Sequence, residues 1–322
     1  MSHQAETGNT FELRVSREEI AAAFDRFVHR RRSVNDMGWK WLTMKKWLRR
    51  MRSYHLHRWR EGSDPPLREQ EQVIEQYAKE YGDRVPLQKL DPRGKTSPCV
   101  WGRQAFIASS IGLKRVHELL LSRALEEIAP ESVLEVGCGT GVNLFVLSSH
   151  FPELRFHGVE LSQQGVDAAL RIRDLPELPR ELAEFAGDLL VDPTAYKRVE
   201  VQQGNAKALP FPDDHFDVLY TVLALEAMEE IRHQALRELS RVARRFVIMV
   251  EPFRDHNSRG GRYYHHAQHN YFGARVEDLP LDGLEPVCVY SDFPKLLRLW
   301  PAFVVARPAE PSGVRADDAV EV

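Results

Sequence analysis

The chain has 322 residues, 43% hydrophobic and 28% charged, with a net charge of −3, enough for one large domain with an appendage or for two domains. No stretch approaches the roughly 20 uninterrupted apolar residues of a bilayer span, and Met1–Thr10 lacks the basic-then-apolar order of a secretory signal. Cys99, Cys138 and Cys288 are too scattered for a disulfide framework or a zinc pattern, so a reducing, cytoplasmic setting is expected.

The charge is unevenly spread. Between Arg30 and Arg60 stand eleven Lys/Arg and one acid, Asp36, a local charge of +10 against −13 for the rest. Residues 1–15 read as a polar tail. Ser16 and Glu19 have the Ser-x-x-Glu spacing of a capping box, opening a helix through Ile20, Phe24, Phe27 and Val28. After Asn35–Gly38 a second helix is expected over Trp39–Trp59. Trp41, Met44, Trp47, Leu48 and Met51 share one face of it, and Lys45, Lys46, Arg49, Arg50 and Arg52 occupy the rest. Two readings stand side by side. Either the apolar stripe packs on the rest of the protein with its charges solvated, or residues 39–60 make a peripheral contact with an anionic membrane surface. Nucleic acid fits less well, because the pI near 6.5 is low and no RNA-binding motif accompanies the helix.

A third helix, Leu67–Tyr81, is polar and acidic; the irregular run Gly82–Gly102 then marks a boundary. The expected division is a helical N-terminal appendage (1–102), a main domain (103–308) and a flexible tail (309–322). In the main domain, a helix at Leu113–Ile128 precedes strands at Val133–Val136, Arg155–Glu160, Val199–Gln203, Phe216–Val222 and Arg245–Val250. Helices at Gly141–His150, Ser162–Arg173 and Ile231–Arg244 alternate with them. Such alternation predicts an α/β, doubly wound, mostly parallel sheet. Leu284–Tyr290 and Ala302–Ala306 add an antiparallel pair, seven strands in all. Residues 174–198 hold no clear strand and read as an insertion.

The strongest motif is Glu135-Val-Gly137-Cys138-Gly139-Thr-Gly141, placed between an apolar strand and a helix. Glycines there let the backbone turn sharply and approach a ligand at the carboxyl end of the sheet. The G-x-G-x-G spacing lacks the last glycine of a dinucleotide fingerprint, since Val142 stands beside Gly141, and no P-loop sequence follows. Glu160 lies 23 residues after Gly137, at the end of the second strand, where a carboxylate can accept from ribose hydroxyls. A third element, Gly204-Asn205-Ala206, leads by a tight apolar turn into the fourth strand.

Together, VLEVGCGTG at 133–141, GVELS at 158–162, GNAKALPFPDDHFDVL at 204–219 and FVIMVEP at 246–252 resemble the class I S-adenosylmethionine-dependent methyltransferase family, in particular its type 11 branch. The resemblance covers about Ala105–Arg307 and implies a Rossmann-like methyltransferase fold with S-adenosylmethionine as cofactor. It places Glu135, Gly137 and Gly139 at the methionine moiety, with Cys138 and Gly141 in the same turn. Glu160 and Leu161 would stand at the ribose, Asn205 and Ala206 at the adenine, and Val222 facing the sulfonium. Asn205 departs from the Asp of many relatives, but an amide still donates and accepts.

Methyl transfer is an in-line displacement in which the protein mainly aligns the partners. A base is required only for a hydroxyl or protonated-amine acceptor. Glu226, just past the fourth strand, is one candidate; an exposed helix carboxylate is the plain alternative. His265 and His269, in the Tyr/His-rich run Arg262–Phe272, are the others, one helical turn apart on a segment that could form a substrate lid hinged at Gly260-Gly261. A metal site there lacks further ligands, and none is expected. The function these readings imply is methylation of a small-molecule, glycan or lipid-like acceptor. The N-terminal appendage, 174–198 and 254–275 would form the acceptor site. An RNA methyltransferase gripping phosphates with the basic helix and a non-catalytic binding module are the alternatives, and the sequence leaves the oligomeric state open.

Overall fold

The computed structural model describes residues 11–81, 87, 90 and 94–309. The polar tail at 1–10, the C-terminal tail beyond Ala309 and most of the irregular run at 82–93 lie outside the described residues.

The first helix, α1 (Arg17–Asp25), opens on the expected box: Ser16 Oγ accepts from Glu19 N at 3.1 Å and Glu19 returns the bond to Ser16 N at 2.8 Å. It ends before Phe27 and Val28. Those residues lead instead into a strand, β1 (Val28–Ser33), which corrects the helical reading. Asp36 then caps α2 (Met37–Glu61) by accepting from Trp39 N at 3.0 Å, and Gly62, at φ 69°, closes it in the left-handed conformation. Next come α3 (Gln70–Tyr81) and the hairpin β2 (Thr96–Trp101) and β3 (Gln104–Ser109), which turns through Gly102 at φ 56°.

The main sheet follows from alternation. Helix α4 (Ile111–Ile128) leads into β4 (Ser132–Val136), α5 (Val142–His150), β5 (Arg155–Glu160) and α6 (Gln163–Arg173). After α7 (Arg180–Ala186) come β6 (Glu200–Gln203), β7 (Phe216–Val222), α8 (Arg232–Val242) and β8 (Ala243–Glu251). The chain finishes with α9 (Arg254–Asn257), α10 (Gly260–His269), β9 (Leu284–Tyr290), β10 (Lys295–Leu296) and β11 (Ala302–Pro308). Seven strands lie in the order β6-β5-β4-β7-β8-β11-β9, the first five parallel and β11 antiparallel to both neighbours. Successive side chains of a strand point to opposite faces. Val133, Val218, Ile248 and Val305 accordingly join the core beneath α4 and α5, while Leu134, Leu219, Val247 and Val304 join the one beneath α8. Each such buried side chain contributes about 1.5–3 kcal/mol.

The N-terminal segment is not purely helical. Strands β1, β3, β2 and β10 form a second, four-stranded sheet in that order. The boundary expected at residue 102 therefore falls inside a hairpin turn, and β10 brings residues from beyond β9 into the same sheet. Three consecutive arginines, Arg30–Arg32, replace apolar alternation in β1 and hide it from a periodicity reading. Its pairing with β3 sets Arg31 opposite Phe106, the guanidinium 5.7 Å from the ring. The 174–198 insertion packs on α5 and ties to α1 and α4: Arg26 donates to Phe185 O at 2.7 Å, and buried Arg115 pairs with Asp188. Among the described residues no helix is long and apolar enough to cross a membrane.

Candidate active site

A cavity of about 740 Å³ opens at the carboxyl ends of β4, β5 and β7. Its floor is the glycine turn. Gly137, Gly139 and Gly141 have φ of 79°, 55° and 78°, a region that glycine occupies at little cost. Gly137 N and Cys138 N both donate to Val159 O, at 2.8 and 3.1 Å, tying the turn to β5. A Cβ on Gly137 would stand 2.6 Å from Ala224 Cβ, and one on Gly139 would stand 2.8 Å from Tyr81 Oη. A Cβ on Gly141 would meet the Phe145 ring at 2.8 Å. Gly141 thus serves helix packing and, contrary to expectation, does not line the cavity; Glu135, Gly137, Cys138 and Gly139 do.

Two acids shape this end. Glu135 is buried, with Oε1 accepting from Asn143 Nδ2 at 2.6 Å and Oε2 from the Tyr220 hydroxyl at 3.1 Å. Burial outweighs those bonds and pushes its carboxyl up to about 7. Glu160 is also buried, yet its oxygens accept from Gly139 N (3.1 Å), Ser162 N (3.0 Å) and Ser162 Oγ (2.8 Å). A carboxylate offers about four acceptor positions, so one remains, on Oε2. Leu161, Ala206 and Val222 complete the expected lining.

The roof was not foreseen. Gln70 of α3 exchanges two amide hydrogen bonds with Asn205, at 3.2 and 3.1 Å. Tyr77 and Tyr81, one turn apart and stacked at 5.5 Å, cover the glycine turn, and burial raises both phenols above their ordinary value. The available signal was their spacing: Gln70, Tyr77 and Tyr81 share one face of a helix read only as polar. At the wall, Leu223 follows β7 at φ 52°, strained for a leucine, and packs into the lining with Ala224 and Met228.

The opposite end was also missed. Where β3 enters α4, Ser109, Lys114 and His117 line the cavity. Ser109 Oγ and both ring nitrogens of His117 have no hydrogen-bond partner among the described residues. Burial pushes His117 down to about 3, leaving it neutral at physiological pH. The apolar period of α4 drew attention to Val116, Leu119 and Leu120, and away from the polar residues between them.

The candidate bases do not line the cavity. Glu226 sits on a short 3-10 turn, Leu225–Ala227, with Oε2 buried and without a hydrogen-bond partner among the described residues; burial raises its carboxyl to about 7 although Arg68 and Arg298 oppose this. Arg68 donates to its backbone oxygen at 3.2 Å. His265 and His269 do lie one turn apart on α10, rings 4.6 Å from each other. However, α10 packs on α2: Tyr54 meets Tyr263 and Tyr264, and Gln268 donates to Arg50 O at 3.2 Å. The segment is therefore a wall for α2, not a lid over the cavity. Burial, with His269 and Arg50 nearby, holds His265 down at about 3. The 174–198 insertion contributes nothing to the lining. Among the described residues no three His, Cys, Asp or Glu gather to hold a metal ion.

Comparison with known proteins adds to this geometry. The family described as "Methyltransferase domain" matches residues 134–250. The uncharacterized methyltransferase YcgJ of Bacillus subtilis (strain 168) is 29% identical over 133 residues, 40% of this chain and 44% of that protein. The chain thus matches less than half the length of this curated relative. The crystal structure of YcgJ superposes with a TM-score of 0.42 at 18% identity, covering 61% of this chain and 99% of that one. The (4+2)-cyclase SpnF superposes with a TM-score of 0.49 at 16% identity, covering 77% and 99%.

Proposed function

We propose, from a chain whose residues 134–250 belong to the class I S-adenosylmethionine-dependent methyltransferase family, that the whole protein transfers a methyl group to a small-molecule, glycan or lipid-like acceptor. The observation that carries this reading is the continuity of one cavity. It runs from the glycine turn, Glu160 and Asn205 to Ser109 and His117, and its volume of about 740 Å³ lies in the range that holds drug-sized ligands. The residues suit the cofactor. The turn is a cradle that a Cβ at 137 or 139 would fill, Glu160 keeps one acceptor position for a ribose hydroxyl, and Asn205, whose Oδ1 accepts from Gln70 and Lys207 N, keeps one Nδ2 hydrogen for an adenine edge. Near neutrality Glu135 is poised between charge states, and a neighbouring ammonium such as that of a methionine moiety favours its ionised form.

The cofactor supplies an electrophilic methyl on a sulfonium centre. The protein's part is to align, exclude water and satisfy the acceptor. Tyr77 and Tyr81 exclude water from above, and Val222, Leu223 and Met228 give an apolar wall that leaves a positive charge poorly solvated. Neutral His117 can accept a hydrogen bond from an acceptor hydroxyl or amine at one nitrogen and donate at the other, with Ser109 Oγ beside it. Its low basicity makes it an orienting group more than a proton sink.

Titration calorimetry of the full chain with S-adenosylmethionine tests the premise: binding is expected, with competition by S-adenosylhomocysteine, and no heat at millimolar cofactor sinks the enzyme reading. His117→Ala should leave that affinity within about threefold, because His117 stands at the other end of the cavity. A loss above about tenfold would put His117 in the cofactor site and remove the acceptor end from this account.

A further inference from the structure

Much of the apolar stripe of α2 faces away from the protein, although Met51 is half-buried and Trp47 lies beside Gly261 of α10. Trp39 and Tyr54 on the inner side are 3% and 4% exposed, and Tyr54 packs against Tyr263 and Tyr264 of α10. On the outer side Met37, Trp41, Met44, Leu48 and Trp59 are 80%, 59%, 51%, 43% and 81% exposed. At 100° per residue these five fall within about 60° of one another and opposite Trp39; Met37, Trp41, Met44 and Leu48 form a ridge, and Trp59 stands on the same line about three turns further on, past Arg52 and His55. Neither of the folded sheets uses it, and the cavity lies elsewhere. Lys40, Lys45, Arg49, Arg52 and Arg60 flank the ridge and are exposed; among the described residues none of the five has an acidic partner. Lys45 Nζ lies 5.1 Å from the Trp41 ring centre, a cation–π contact at the exposed edge of the ridge.

We propose that this face of α2 docks the protein onto an anionic phospholipid surface, with Met37, Trp41, Met44, Leu48 and Trp59 entering the interface and the flanking lysines and arginines meeting the headgroups. Charge selects the occupant. Residues 30–60 carry +10, so a second copy of this face would bring like charge against like charge, whereas an anionic bilayer complements it. An indole, a thioether and a leucine projecting together give a phosphate backbone nothing to bond, but they suit the acyl–headgroup boundary. The helix lies along the protein body by its inner face, the orientation of a helix resting in the plane of a membrane.

Flotation of the full chain with vesicles of phosphatidylcholine alone, or with about 30% phosphatidylglycerol, tests it. Binding is expected on the anionic vesicles, at least about tenfold weaker on the neutral ones, and weakened by salt. The triple variant Trp41→Ser, Met44→Ser, Leu48→Ser should lower partition about tenfold or more while circular dichroism and melting stay unchanged, since all three side chains are on the surface. Lys45→Glu, Arg49→Glu, Arg52→Glu should abolish selectivity for anionic lipid. No flotation of the wild-type chain overturns the proposal, as does equal flotation by the serine variant. A wild-type dimer in light scattering that the serine variant converts to monomer would overturn it too, by assigning the ridge to a second copy.

Discussion

The carboxyl rim of the main sheet and the N-terminal segment 11–109 obey different rules. At the rim, each residue answers a local condition: a left-handed φ at Gly137 and Gly139, a close approach to Ala224, a carboxylate held by Gly139 N and Ser162. In the N-terminal segment, identity is decided by distant partners. Arg31 lies in a strand because β3 is there to pair with it, and Tyr81 is half-buried because α3 crosses a turn more than fifty residues later in the chain. Local conditions leave signatures within a few residues; long-range ones leave almost none.

The rim's dependence on single residues gives the largest expected effect. Gly139→Arg combines a φ of 55° with a Cβ only 2.8 Å from Tyr81 Oη, and it sends a long side chain into the cavity. Affinity for S-adenosylmethionine should fall by about a hundredfold or more in calorimetry. The melting temperature should drop only a few degrees, because a left-handed alanine-like backbone costs about 1–2 kcal/mol and the sheet beneath is untouched. Retained affinity would put the cofactor somewhere other than this turn and erase the contrast between the two regions.

A smaller effect is expected at Glu160. Glutamine is nearly the same shape, but it replaces one acceptor oxygen by a donor facing either Gly139 N or the Ser162 pair, at present 2.8–3.1 Å away. Hydrogen bonds to a charged acceptor are worth about 1.5–3 kcal/mol. Glu160→Gln should therefore weaken cofactor binding about tenfold to a hundredfold. If binding is unchanged, the carboxylate merely braces the turn.

These contrasts explain what was legible. The seven strands, their parallel and antiparallel parts and the glycine turn that lines the cavity were readable because apolar period and glycine spacing both act locally. That Glu160 and Asn205 line the cavity was readable because Glu160 ends an apolar strand and Asn205 follows the next strand by two residues. The second sheet was not: β1 is arginine-rich, β2 contains Pro98, and β10 is two residues long. His265 and His269 were rightly put on one helical face, but the face was assigned to the wrong neighbour, since nothing in the run says that Tyr263 and Tyr264 will meet Tyr54. His117 was passed over for the opposite reason. A helix buried on nearly every side hides its polar lining among its core positions.

One rim residue was also passed over and gives the smallest, most easily read effect. Glu251 ends the apolar strand β8 and is fully buried; its Oε1 accepts from Ala224 N at 3.0 Å and Leu225 N at 3.2 Å, holding the turn that follows β7. Burial, reinforced by nearby Glu226, pushes its carboxyl up to about 8 from an ordinary value of 4.5. The folded chain therefore binds a proton that the unfolded chain has released between those values, and stability falls as pH rises through that window. Glutamine keeps the accepting oxygen and has no proton to lose. Glu251→Gln should melt close to wild type near pH 5 and gain on it toward pH 8.5, by on the order of 2 kcal/mol, or a few degrees. A difference in melting temperature that stays constant across that range would mean Glu251 is ionised in the native rim. The turn after β7 would then be held by a charge, and the wall at Leu223 and Ala224 would carry a negative potential toward the cavity.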